Sequence, residues 1–66
     1  MAKKGINRIG EVLKAKGLTQ SWLAGELDVE FRTVNRFVNH HREPSLELLV
    51  EIARILKVSP RQLIRE

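Results

Sequence analysis

Apolar residues recur every three or four positions in four separate stretches of this chain, and nowhere do they alternate as a strand requires. Ile6, Ile9, Val12 and Leu13 mark the first stretch, and Leu23, Ala24 and Leu27 the second. Val34, Phe37 and Val38 mark the third; Leu46, Leu49, Ile52, Ala53 and Leu56 mark the fourth. Helices this short are marginal alone in water, so they hold only by burying these stripes on one another. The pattern predicts a small all-helical domain around one shared core.

Cap and turn residues set the boundaries. A first helix is expected over residues 6–16, ended by Gly17 in a left-handed conformation, with Leu18 returning to the core. Gly10 inside it costs about 1 kcal/mol relative to alanine, and its small size allows another helix to come close. Thr19 is the N-cap of a second helix over 19–27, and a break at Asp28-Val29 leads to a third over 30–38. The polar NHHREP loop of 39–44 follows, and Ser45 caps a fourth helix over 45–57. Leu48, Val50 and Ile55 are apolar positions outside its stripe. At 59–62, SPRQ combines a Ser cap, Pro at the first helical position and Gln three residues after the Ser, opening a short fifth helix through Ile64. Residues 1–5 read as a flexible basic tail and 6–66 as the domain.

Sixty-six residues leave no room for a second core. The absence of cysteine removes disulfides and thiolate metal sites together and agrees with a reducing cytoplasm, where the protein is expected. His40 and His41 are adjacent in a loop without a third ligand, so they read as exposed polar residues, and no metal or cofactor is expected. No nucleophile has a base at usable spacing, no glycine loop cradles phosphate, and short helices offer little pocket, which argues against an enzyme or a small-molecule sensor. No apolar run approaches the roughly 20 residues of a membrane span, and no leader opens the chain.

Charge points to the partner. Twelve Lys and Arg against eight Asp and Glu give a net +4, which favours polyanions. Its placement says more than its total. At about 100° per residue, Arg32, Asn35, Arg36 and Asn39 fall within about a third of a turn, opposite Val34, Phe37 and Val38. A helix that packs by one face and presents Arg, Asn and Thr on the other suits an anionic surface, and the major groove of DNA fits that description.

In order and spacing, LTQ at 18–20, LA at 23 and 24, Val29, and Thr33, Val34 and Arg36 match a known pattern. Asn39, Arg42, PSLELL at 44–49, IA at 52 and 53 and the closing Leu56 to Pro60 continue it. Over about nine-tenths of its length the chain resembles the Cro and phage-repressor type of helix-turn-helix regulator, the XRE-like group. The resemblance implies a five-helix, lambda-repressor-like domain with the motif at helices two and three. It implies a DNA-binding regulator of transcription, a repressor or autoregulator, bound as a homodimer to a pseudo-palindromic operator in double-stranded DNA. Its second motif helix enters the major groove and the first crosses the backbone. By the same resemblance Phe31, Arg32 and Asn35 reach base edges, with Arg32 matched to guanine. Thr19, Gln20, Thr33, Arg36, Asn39 and Arg42 contact the sugar-phosphate backbone. Pairing in relatives commonly uses the C-terminal helices, which points to Leu48, Val50, Ile55 and Ile64.

The chain also departs from that pattern. Asp28 stands where glycine is usual, Glu30 replaces the Ser or Thr cap of the third helix, and Phe31 replaces a common polar reader. Phe31 either touches a thymine methyl or packs down. Trp22 either lies over the first helix at the rim of the core or donates its indole N–H to a phosphate. Lys3 and Lys4 belong either to a DNA-embracing arm or to a solubilising tail. Two other readings stand beside the regulator: an antitoxin-like or other protein-interaction module using the apolar residues of helices four and five, and a restriction-modification controller.

Overall fold

The computed structural model describes residues 6–65, so the expected basic tail, with Lys3 and Lys4, lies outside the described residues. Four α-helices follow one another, α1 (Ile9–Lys16), α2 (Gln20–Leu27), α3 (Phe31–Val38) and α4 (Leu46–Leu56). Pro60–Leu63 then form a short 3₁₀ helix where the fifth helix through Ile64 was expected. The start signal at 59–62 is realised, with the Ser59 amide donating to Gln62 Oε1 at 2.8 Å. A single turn follows because Ile64 is already extended, and it pairs with Asn7 in an isolated antiparallel bridge.

That bridge also shortens α1 at its start. Ile6 has helical spacing to Ile9, but it lies outside the helix and is 61% exposed. The Asn7 side chain is the reason. Its Oδ1 accepts from the Ile9 amide at 3.1 Å, so it satisfies a backbone donor that a longer helix would have bonded itself. The segment before the helix is then free to run beside the C-terminal segment. Arg8 N donates to Leu63 O at 2.8 Å, and Arg65 N donates to Ile6 O at 2.6 Å.

The core takes Ile9 and Leu13 from α1, Leu23 and Ala24 from α2, and Val34 and Phe37 from α3. It takes Leu49, Ile52, Ala53 and Leu56 from α4, and Leu63 from the 3₁₀ turn. Leu46 was expected in this stripe but is 71% exposed, because the first turn of α4 overhangs the end of the core. Leu48 and Ile55, read as outside the stripe, pack against its edge. Gly10 has the role expected of it: a Cβ there would lie 2.8 Å from Val38 Cγ1, so α1 and α3 meet at a distance only glycine allows.

All four α-helices end alike. Gly17, Asp28, His40 and Lys57 take left-handed φ values of 69°, 58°, 61° and 59°. Around each, paired reversed bonds close the helix, as where Val29 N donates to Ala24 O and Asp28 N to Gly25 O. Leu18 and Val58, the residues after Gly17 and Lys57, fold back against the core. Only one of the four positions is glycine. An L-residue in that region costs roughly 1–2 kcal/mol, less for Asp, and the reversed backbone bonds at each turn offset that cost.

Candidate nucleic-acid interface

The helix-turn-helix unit is α2, the Asp28-Val29-Glu30 turn and α3. Thr19 Oγ1 accepts from Trp22 N at 3.0 Å, fixing the start of α2 with a hydroxyl cap. α2 and α3 pack on each other more extensively than any other two elements. Between them Asn35 Nδ2 donates to Gln20 Oε1 at 2.9 Å. The bond commits the Gln20 oxygen and leaves the Gln20 amide hydrogens and the Asn35 oxygen for an external partner. The two residues are half-buried and act as one unit, which their separate places in the sequence did not suggest.

The two ends of α3 are held differently. At its C-terminal end the Phe37 carbonyl accepts from Asn7 Nδ2 at 3.0 Å, and the same amide nitrogen donates to Glu43 Oε1 at 2.8 Å. Asn7 is 2% exposed, and this amide ties the start of the chain to the end of α3 and to the following loop. Sequence reasoning passed over it because its partners are 30 and 36 residues away. The one local signal was an Asn two residues before the first buried apolar residue. His40 is less exposed than the polar-loop reading held: its side chain is 24% exposed, with Nδ1 3.8 Å from Glu43 Oε2. His41 is exposed as expected.

At the N-terminal end Glu30 sits at the cap position without a side-chain hydrogen bond. Phe31 is 51% exposed, so it does not pack down. Arg32 and Arg36 are exposed on the outward side, and Arg42 is exposed in the loop beyond. Thr33 is half-buried, and Asn39 spends one donor on the carbonyl of Asn35 at 3.0 Å. Trp22 is 38% exposed on α2, where about 150° separates it from the centre of the buried stripe.

The arginines divide by partner. Arg8 and Arg65 both engage Glu11, the former at 3.2 Å, and Arg54 engages Glu51. The Arg65 guanidinium first, and Arg8 beside it, hold the Glu11 carboxyl below its ordinary value, and Arg54 does the same for Glu51. Arg32, Arg36, Arg42 and, apart from them on the 3₁₀ turn, Arg61 form no ion pair or side-chain hydrogen bond among the described residues. The unpaired guanidiniums on α3 and its following loop thus sit with the amides of Gln20 and Asn35 on the helix-turn-helix unit.

The four residues expected to pair two copies do not share a face. By helical rotation Val50 lies about 150° around α4 from Leu48 and Ile55, on the other flank of the buried stripe. Val50 instead shares its flank with Leu46, and both are exposed. Ile64, in the terminal bridge, is 36% exposed.

A helix-turn-helix family model matches residues 9–63, and the chain belongs to the helix-turn-helix family. It is also similar to a crystal structure of a candidate DNA-binding protein from Bacteroides fragilis, with a TM-score of 0.89 and 42% sequence identity. That match covers 91% of this chain and 97% of the other. No curated protein matches the chain. Among the described residues no helix is long and apolar enough to cross a membrane.

Proposed function

We propose that the protein is a sequence-specific DNA-binding regulator of the Cro and phage-repressor type, acting as a repressor or autoregulator by occupying its site. The observation that carries this reading is the outward side of α3, where Arg32 and Arg36 are exposed and have no acidic partner among the described residues. An unpaired guanidinium presents its full fork to phosphate or to guanine. In this reading α3 enters the major groove by its first turn, and Phe31, Arg32 and Asn35 face base edges. Thr19, Gln20, Thr33, Arg36, Asn39 and Arg42 hold the backbone, with the Gln20 amide hydrogens aimed at a phosphate near the positive end of α2.

Two copies bind half-sites about 34 Å apart, one helical turn of DNA. Support for pairing comes from the exposed neighbours Leu46 and Val50, which form a more coherent apolar patch than Leu48, Val50, Ile55 and Ile64 together. Such a protein works in the cytoplasm, on the nucleoid.

The test is selection of bound sequences from random duplexes, followed by affinity measurement on the selected site. Arg32→Ala is expected to cost about 1–3 kcal/mol in binding and to relax preference at one base pair. Arg36→Ala is expected to weaken all sequences alike and to lower the salt slope by about one. If no duplex is enriched at moderate salt, and Arg32→Ala changes nothing, the protein does not bind DNA specifically.

A further inference from the structure

Phe31 is the only exposed apolar side chain on α3, and it stands at the helix entrance beside an unpaired arginine. At about 100° per residue it sits some 70° from the centre of the stripe formed by Val34, Phe37 and Val38, so a longer core would have covered it. Its 51% exposure follows from its place in the first turn, which projects past the core. The turn before it carries Asp28 and Glu30, both exposed. Their carboxylates oppose a phosphate at this end of α3, although an unguarded helix N-terminus would attract one. The entrance is therefore better suited to base edges than to the backbone.

Apart from the small C5–H of cytosine, the edges in the major groove are hydrogen-bond donors and acceptors, and the one apolar group that projects from them is the C5-methyl of a pyrimidine. A phenyl ring against any other edge removes water from polar groups and returns no bond to them. Arg32 is the next residue. Its fork matches guanine O6 and N7. Phe31 and Arg32 are the first two residues of α3, about 1.5 Å apart in rise and about 100° apart in direction, so in a helix that enters the groove by its first turn they reach adjacent base pairs.

We propose that Phe31 and Arg32 together read a C5-methylated pyrimidine next to a guanine, and that the methyl group itself is the feature recognised. Thymine carries that methyl, and so does 5-methylcytosine. Unmethylated cytosine does not. The protein therefore binds a 5-methylcytosine–guanine neighbour more tightly than the same step without methylation, so its occupancy of such a site follows the methylation state of the DNA.

This inference rests on the DNA-binding reading above, and the experiment separates the two. The probe is the duplex enriched from a random pool, remade with deoxyuridine in place of each thymine in turn. The same positions are also remade with cytosine and with 5-methylcytosine. Deoxyuridine next to the guanine is expected to lower affinity about three- to fivefold, the effect of one methyl group leaving contact with an apolar surface. At that position 5-methylcytosine is expected to bind tighter than cytosine by a similar factor. Phe31→Ala should abolish both differences, and Phe31→Leu, which keeps an apolar surface, should retain most of them. Circular dichroism of each variant checks that the fold is intact. Tolerance of deoxyuridine at every position overturns the inference, as does a methyl effect undiminished in Phe31→Ala. In either case enrichment of a specific duplex leaves DNA binding standing. A pool without enrichment overturns the DNA-binding reading and this inference with it.

Discussion

The two ends of the eight-residue α3 are held by opposite means. At the C-terminal end, a buried amide from Asn7 holds the Phe37 carbonyl, and Val38 rests on the bare backbone of Gly10. At the N-terminal end Glu30 makes no side-chain cap, Phe31 is half in solvent and Arg32 has no ionic partner among the described residues. One end locates the helix in the domain. The other gives up local stabilisation and keeps its side chains available. The starts of α2 and α4 are finished differently, with Thr19 Oγ1 accepting from Trp22 N at 3.0 Å and Ser45 Oγ from Leu48 N at 3.1 Å.

The largest effect is expected at the anchored end. Asn7→Ala leaves the Ile9 amide without a partner, and a buried polar group so stranded costs about 1–3 kcal/mol, while the Phe37 carbonyl keeps the His40 amide at 3.2 Å. Chemical denaturation should show a loss within that range. If stability is unchanged, the anchor is not what holds this end.

Gly10→Ala should destabilise by about 1–2 kcal/mol, since overpacking against Val38 exceeds the roughly 1 kcal/mol gained from better helix propensity. Gly25 on α2 is the control, because a Cβ there meets nothing within 4 Å. Gly25→Ala should stabilise by up to about 1 kcal/mol. Thermal melts of the two variants should move in opposite directions, and restoring space with Val38→Ala should reduce the penalty at Gly10.

At the free end, Glu30→Ser should add the missing cap. The backbone is already extended there, with φ −73° and ψ 150°, as at Ser45. The expected gain is about 0.5–1 kcal/mol in stability. A melt showing no gain would mean that this end is already satisfied by other means.

The smallest effect concerns the arginines held within the domain. The folded state holds Glu11 below its ordinary value, through Arg65 and then Arg8, so its contribution is present above the unfolded carboxylate value. It is lost as pH falls through the lower, folded value. Stability followed from neutral to acid pH should therefore fall slightly less steeply in Glu11→Gln than in the parent. The effect is small because the carboxylate is about half exposed and screened by solvent.

Much of this arrangement was legible from local pattern. Thr19 and Ser45 cap the helices they were expected to cap, and Gly10 marks the close approach it suggested. Local pattern failed where distant parts of the chain decide. Ile6 fits the first stripe, but Asn7 ends the helix before reaching it, in favour of pairing with residues near 64. Leu46 fits the fourth stripe, but periodicity says nothing about where the core stops. Leu63 is fully buried, although its surroundings read as a polar start signal. For the candidate interface, spacing alone put Arg32, Asn35, Arg36 and Asn39 on one side of α3. It did not reveal that Asn35 is bonded to Gln20, nor which arginines lack an internal acidic partner.

The central claim is that the free end and outward side of α3 form the surface that meets DNA. Backbone amide chemical shifts of the labelled protein, titrated with the enriched duplex, test it residue by residue. Shifts should be largest at Gln20, from Phe31 to Arg36, and from Asn39 to Arg42, with little change around Arg8, Arg54 and Arg65. Shifts centred on Arg8, Arg61 and Arg65, with α3 unmoved, would contradict it.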